Sequence, residues 1–418
     1  MASTAAAEII GGNEELAVEI LQYLSAKSLI RFKSVSKAWL SFVSTPRFSL
    51  LWQSHHHPKV SGIFFNPRSR TETIKYVPLT RSNDLRNQCD IATVINGGGE
   101  NNSPPFFMYA RIIDSRNGFL LVFFNKKQSS SSEWSRSYHV YNPTTKQFST
   151  LPWPFPATFA GFIADHVYLV FDPLKSLHHK VVLVQASEPG SACSIQIHIY
   201  SSETNDWRRS PLDDDIGDHF HPFPKSLYKS LNSLNLNGGV CCNGSIHWLS
   251  YHPEKTSLYF DVDQERFRPM PSPPYNGAGF KFGHFGEFGG HLHYITFYRG
   301  FKVNISKIES DYSKWTTTTM VVDLALEEKK MVVRNNTMLS LIHGEDEGDV
   351  FLVRAVRTEM NYMIISYNIK ENTFRKLGDV PRRHVTSWYD GPVSSSYDGG
   401  PWPTHRCIHG YIETLFPV

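Results

Sequence analysis

Five stretches of this chain repeat one pattern at long, near-constant intervals. They read VYNPTTKQF (140–148), IYSSETNDW (199–207), YFDVDQERF (259–267), KIESDYSKW (307–315) and SYNIKENTF (366–374). In each, an apolar residue (Tyr141, Tyr200, Phe260, Ile308, Tyr367) stands seven positions before an aromatic one (Phe148, Trp207, Phe267, Trp315, Phe374). Polar, turn-prone residues fill the gap, which is the signature of a β-hairpin. The aromatics recur at intervals of 59, 60, 48 and 59 residues.

A period near 50–60 with several short strands per unit predicts a β-propeller, with kelch-type repeats nearest in length. One four-stranded unit cannot bury both of its faces, so units stack around an axis and cover one another. The recurring aromatic is then a wedge between blades. Composition agrees: 13% aromatic residues, with 27 Gly and 25 Pro, suit a turn-rich β protein. NGFLLVFF (117–124) and NGSIHWLS (243–250) place Asn-Gly before an apolar run, as an inner strand after a tight turn would. HLHYITFY (291–298) and DVFLVRAV (349–356) resemble them, and GIFFNPRSRTETIKYVPL (62–79) reads as an earlier, diverged hairpin. The count predicts six blades, or seven. A strand within Arg406–Phe416 is expected to pair beside Ile63–Phe65, joining first to last and removing an open edge.

Residues 13–54 differ from this β region and read as helices. Asn13 is a candidate N-cap, followed by Glu14 and Glu15 in a first turn that favours negative charge. Leu16, Ile20, Tyr23 and Leu24 follow at helical spacing. Ser25 can cap a second helix carrying Leu29 and Phe32. Val35, Trp39, Phe42 and Val43 mark a third, and Thr45-Pro46 starts a further turn with Phe48, Leu51 and Trp52. About 40 residues in short helices are too few to bury so many large apolar side chains. The surplus faces either the rest of the chain or a partner. Between Glu19 and Glu72 lie eight basic residues (Lys27, Arg31, Lys33, Lys37, Arg47, Lys59, Arg68, Arg70) and no acidic one. They are a solvated face or a complement to an acidic partner. They do not concentrate on one helix, and the net charge is only +3, which argues against nucleic acid.

NEELAVEILQYLSAKSLIRFKSVSKAWLSFVSTPRF resembles an F-box. The matching positions are Glu14, Glu15 and Leu16, Glu19-Ile20-Leu21, Leu24, Lys27-Ser28-Leu29, Arg31-Phe32, Val35-Ser36-Lys37 and Trp39. Two positions depart from that pattern: Gly12-Asn13 replaces an opening Leu-Pro, and Ser25 replaces a Pro after the first helix. The β region in turn resembles the F-box-associated, kelch-like propellers found mainly in plant proteins. The resemblance implies a small three-helix, all-α F-box (13–54) after a disordered start (1–12), then a linker (55–60) and an all-β propeller (61–418). It implies docking on the Skp-type linker protein of a cullin-based (SCF) ubiquitin ligase. Leu16, Ile20, Leu21, Leu24, Leu29, Phe32, Val35 and Trp39 are the candidate anchors, some of which must pack inside the module itself.

Other features have plainer readings. DDDIGDHFHP (213–222) mixes carboxylates and histidines but reads as a solvated loop, as does His55-His56-His57; neither predicts a metal site. GHFGEFGGH (283–291) lacks the Gly-Lys-Ser/Thr of a phosphate loop, so no cofactor is expected. Cys241-Cys242 lies on an apolar strand and reads as packing; five cysteines, an odd count with no C-x-x-C pair, suit a reducing cytoplasm or nucleus. FLLVFF is the longest apolar run, far short of the roughly 20 residues of a membrane span. Trp153, Trp388, Tyr389 and Trp402 sit in Pro/Gly-rich loops and are candidate anchors for a captured substrate. The expected function is a non-catalytic adaptor that presents a target protein for ubiquitination. A propeller enzyme, a sugar-binding protein and a non-degradative regulatory F-box protein are the alternatives.

Overall fold

A computed structural model describes residues 13–56, 60–66, 74–78, 108–127, 134–154, 166–186, 195–211, 234, 236–250, 256–274, 280–298, 302–321, 339–343, 350–357, 361–371, 373–381 and 408–418. Four helices come first: α1 (Glu14–Leu21), α2 (Ala26–Phe32), α3 (Lys37–Val43) and α4 (Pro46–His55). The fourth corrects the three-helix expectation. Thr45 caps it, accepting from the Phe48 amide, and Pro46 sits where a missing N–H does no harm. The two departures from the F-box pattern are both caps. Asn13 accepts from the Leu16 amide and Ser25 from the Ser28 amide.

The β region forms five four-stranded antiparallel blades. Blade 1 is Met108–Arg116, Phe119–Lys127, Trp134–Asn142 and Gln147–Thr150; blade 2 is Val167–Val170, Lys180–Ala186, Ile195–Ser201 and Asp206–Arg209. Blade 3 is Val240–Cys242, Ser245–Trp248, Ser257–Asp261 and Arg266–Met270; blade 4 is Phe280–Phe288, His291–Tyr298, Lys302–Ile308 and Trp315–Val321. Blade 5 is Leu339–His343, Val350–Arg357, Asn361–Asn368 and Thr373–Pro381. Six blades were expected. Among the described residues the sixth sheet has only three strands, in the order Lys75–Pro78, Val60–Phe65, Ile408–Ile412. This closing sheet joins the two ends of the chain, with Ile63 opposite Gly410 and Phe65 opposite Ile408. The first strands of successive blades pack against one another. Ile408–Ile412 packs on blade 1 and Lys75–Pro78 on blade 5, which completes the ring.

The seven-residue spacing proves to be a cross-strand pair between the third and fourth strands of every blade. Tyr141 faces Phe148, Tyr200 faces Trp207, Phe260 faces Phe267, Ile308 faces Trp315 and Tyr367 faces Phe374. The first member of each pair is buried. The polar gap makes the turn. Asn142, Asp261 and Asn368 each accept two following amides on one side-chain oxygen. Lys146, Asn205, Glu265 and Tyr312 take the left-handed conformation that brings the chain back. The Asn-Gly pairs make the expected tight turns. Asn117-Gly118 and Asn243-Gly244, both at positive φ, are the two-residue turns between first and second strands. The apolar runs after them are therefore second strands, not the innermost ones.

The wedge reading holds where side chains are described. The Trp207 indole donates to the Pro152 carbonyl at the exit of blade 1 (2.7 Å), and the Trp315 indole to Pro271 at the exit of blade 3 (2.9 Å). Phe148 is the exception, at 44% exposed. Blade 1 follows the closing sheet, which among the described residues has no fourth strand beside this ring. Blades 2 and 3 share a core in which the Trp248 indole donates to the Tyr168 hydroxyl at 2.8 Å.

Burial also fixes the charge state of several histidines. His247 is buried beside the stacked pair Tyr259 and Tyr312. Its Nδ1 donates to the Val240 carbonyl, so Nε2 accepts from the Tyr312 hydroxyl at 2.7 Å. Burial pulls His139, His179 and His247 down to about 4. The unfolded chain, with His near 6.5, binds more protons between these values, so folding stability is full above pH 6.5 and is lost as pH falls toward 4. At pH 5 each ring contributes roughly 2 kcal/mol of destabilisation. Urea unfolding at pH 7.5, 6 and 5 will show that loss, and His247→Gln will make the fall from pH 7.5 to 5 shallower.

Candidate functional site

The helical module separates its apolar residues into two sets. Ala17, Leu21, Ala26, Leu29, Val43, Phe48 and Trp52 form its core, with Leu24, Phe32, Trp39 and Phe42 packed on them. The Trp52 indole donates to the Leu24 carbonyl at 2.8 Å and ties α4 to the end of α1. Phe32 meets Trp39 edge-on at 5.2 Å, which links α2 and α3. Of the eight candidate anchors, then, Leu21 and Leu29 are fully enclosed and Leu24, Phe32 and Trp39 are half-buried. Leu16, Ile20 and Val35 are open, at 42%, 48% and 61% exposed.

Two further exposed residues were not among those anchors: Tyr23 at 63% and Leu40 at 45%. Tyr23 was legible, because Leu16, Ile20 and Tyr23 recur at i, i+4 and i+7 along one stripe. Leu40 carried no periodic signal beside Trp39. Glu14, Glu15 and Glu19 are exposed on α1, and Lys27, Arg31, Lys37 and Arg47 are exposed around the module. Lys33 is half-buried, and burial lowers its pKa.

The module sits at a defined end of the propeller. Strands alternate in direction, so the turns between first and second strands and between third and fourth strands share one end. The segment after the closing strand lies against those turns. Asn142 donates to the Thr414 and Phe416 carbonyls, the Thr414 amide donates to Thr144, and Phe416 meets Phe171 edge-on. Leu415 enters the core of the helices, and Leu50 of α4 packs on the cluster that holds Phe416. The same end has a belt of contacts between blades. Asn117 donates to the Phe171 carbonyl, Lys175 to the Asn243 carbonyl and Asn243 to the Gly290 carbonyl. Arg116 of blade 1 pairs with Glu287 of blade 4 at 3.1 Å, three sheets round the ring and so across the axis. Cys242 donates to Gly290 in this belt, and burial pushes its thiol up to about 12, so it is an unreactive packing residue.

The connections between blades emerge at the other end. Trp153 lies there, just after blade 1. It stacks on Tyr138 (5.8 Å, 12° between planes) and packs on the core between blades 1 and 2, half-buried. Trp388, Tyr389 and Trp402 lie outside the described residues, as do all of DDDIGDHFHP and His57. Among the described residues no group of three or more His, Cys, Asp or Glu is placed to hold a metal ion, and no helix is long and apolar enough to cross a membrane.

Comparison with known proteins agrees with this division. The F-box domain matches residues 13–51, and the F-box associated beta propeller domain matches residues 99–380. The chain is 26% identical to F-box protein At5g07610 of Arabidopsis thaliana over 404 residues, covering 90% of this chain and 88% of that protein. It is 23% identical to F-box protein At4g19940 of the same plant, covering 87% and 84% of the two chains. With F-box/LRR-repeat/kelch-repeat protein At1g09650 it shares 24% identity, over 62% of this chain and 64% of the relative. Four helices with the F-box pattern lead into a ring of antiparallel blades matched over most of its length, and the chain belongs to the family of proteins with an F-box associated beta propeller domain.

Proposed function

We propose that this chain is the substrate-recognition subunit of an SCF-type ubiquitin ligase, working in the cytoplasm or nucleus. The helical module docks on a Skp-type linker protein and, through it, on a cullin. The propeller holds a target protein, and the chain itself breaks no bond. Its effect is to raise the local concentration of target lysines near a conjugating enzyme carried elsewhere in the assembly.

One observation carries this reading: an F-box module leaves Leu16, Ile20, Tyr23, Val35 and Leu40 in solvent although the core beneath them is filled. Monomeric proteins rarely leave so many large apolar groups open on one small unit. These five residues, with the half-buried Leu24, Phe32 and Trp39 at their margin, are the docking surface. The module occupies the tight-turn end of the ring, where the Arg116–Glu287 pair spans the axis. Capture therefore falls to the opposite end, where the long connections emerge and Trp153 stands near the rim with Trp388, Tyr389 and Trp402 on the candidate list.

The test is direct. Leu16→Asp combined with Ile20→Asp is expected to weaken binding to a Skp-type protein at least about 30-fold, the effect of losing roughly 2 kcal/mol at a central anchor. The melting transition of the free chain stays within a degree or two, because neither residue contributes to the core. Leu29→Ala behaves oppositely: it destabilises the helical module by about 2–5 kcal/mol and affects binding only through that loss. Equal binding by the parent and the double variant, or no binding by the parent, rejects the docking assignment.

A further inference from the structure

The core of the helical module is not made by the helices alone. Its eighth buried member is Leu415, 2% exposed, which lies more than 350 residues further along the chain. The next residue, Phe416, is 1% exposed and belongs to the other side, the core between blades 1 and 2. Adjacent side chains of an extended segment point in opposite directions, so a single dipeptide can enter two cores at once.

The backbone between them is held by the propeller. Asn142, itself fully buried, donates through one Nδ2 to both the Thr414 carbonyl (3.2 Å) and the Phe416 carbonyl (2.9 Å). The Thr414 amide donates to Thr144 Oγ1 at 3.2 Å, and the Tyr411 hydroxyl bonds to the same Thr144. Gly118 makes room for the segment. A Cβ there would collide with the Thr414 side chain and come within 2.7 Å of the Ile412 carbonyl, at a φ of +87°. On the other flank, α4 points Phe48 and Trp52 into the helices and Leu50 onto the propeller.

We propose that residues 413–418 form a joint that fixes the helical module at one attitude to the propeller, with Leu415 and Phe416 as its positioning residues. The docking face then points in one direction relative to the capture end. Because Leu415 arrives only on the strand that closes the ring, the helices complete their core only in a chain whose ring has closed. The orientation argument rests on the adaptor reading above; the shared core does not.

Two measurements test this on the full chain. The first needs no partner: hydrogen exchange of the parent, Leu415→Ser, Leu415→Met and Phe416→Ala. Leu415→Ser is expected to speed exchange of amides in residues 14–55 at least about tenfold while the hairpins of blades 3 and 4 are unchanged, and Leu415→Met to restore protection. Helix exchange in Leu415→Ser equal to that of the parent overturns the proposal, as does uniform loss of protection across all blades in both Leu415 variants. Gly118→Ala disturbs the same segment from the propeller side and is expected to raise helix exchange too. The second measurement uses a ligase reconstituted with a Skp-type protein, a cullin and ubiquitin, and maps which of the chain's own lysines are modified. A fixed attitude gives a narrow set in the parent and a broadened set in Phe416→Ala at unchanged Skp-type affinity; identical maps overturn the orientation claim. A parent that binds no Skp-type protein rejects the adaptor reading and leaves the exchange result to decide the joint.

Discussion

The pairing of Val60–Phe65 with Ile408–Ile412 is the contact on which the rest of the molecule depends. Each blade is covered by its neighbours, so an unclosed row would leave two bare faces and two open edges. Joining the ends removes both at once. It also determines where everything else lies. Helix α4 leads into one partner of this pair and residues 413–418 leave the other, so both links to the helical module start from the same sheet. The contact is non-local in the extreme, and closing so long a loop costs chain entropy that local hairpins do not.

Much of the architecture could be read from the chain because it is enforced by short-range chemistry. The Tyr141–Phe148 pair and its four counterparts are cross-strand neighbours because seven residues allow two strand ends and one polar turn. In three of the five turns an Asn or Asp (Asn142, Asp261, Asn368) stands at the same place and accepts the turn's amides, and the sequence shows them. The blade count was harder to read. The closing strand from the other end of the chain was legible and pairs beside Ile63–Phe65 as expected, but a repeat count also treats 62–79 as part of a full blade, and this sheet has no fourth strand among the described residues. The fourth helix was present in the sequence as Thr45-Pro46, a strong start signal whose continuation to His55 rests on Phe48 and Trp52 packing into the module.

The candidate docking residues show the limit more sharply. Period 3.6 places Leu16, Ile20 and Tyr23 on one stripe and Ala17 and Leu21 on another, but it does not say which stripe faces inward. The decision comes from small Ala17 and Ala26, which let the helices approach and so define the enclosed side. Leu415 could not be found at all by local reasoning. No pattern in residues 13–54 announces a missing core position that a distant residue will fill, and the run LFPV looks like any strand end.

The Arg116–Glu287 pair has a mechanical meaning beyond its contribution to stability. A ring of wedges held only by neighbour contacts can flatten, since each joint yields a little and the errors add around the circumference. A chord between blades 1 and 4 forbids that mode: to become oval, the ring must stretch an ion pair that has little water nearby to take its place. The mouth beside the helices is therefore braced by a contact that spans its diameter.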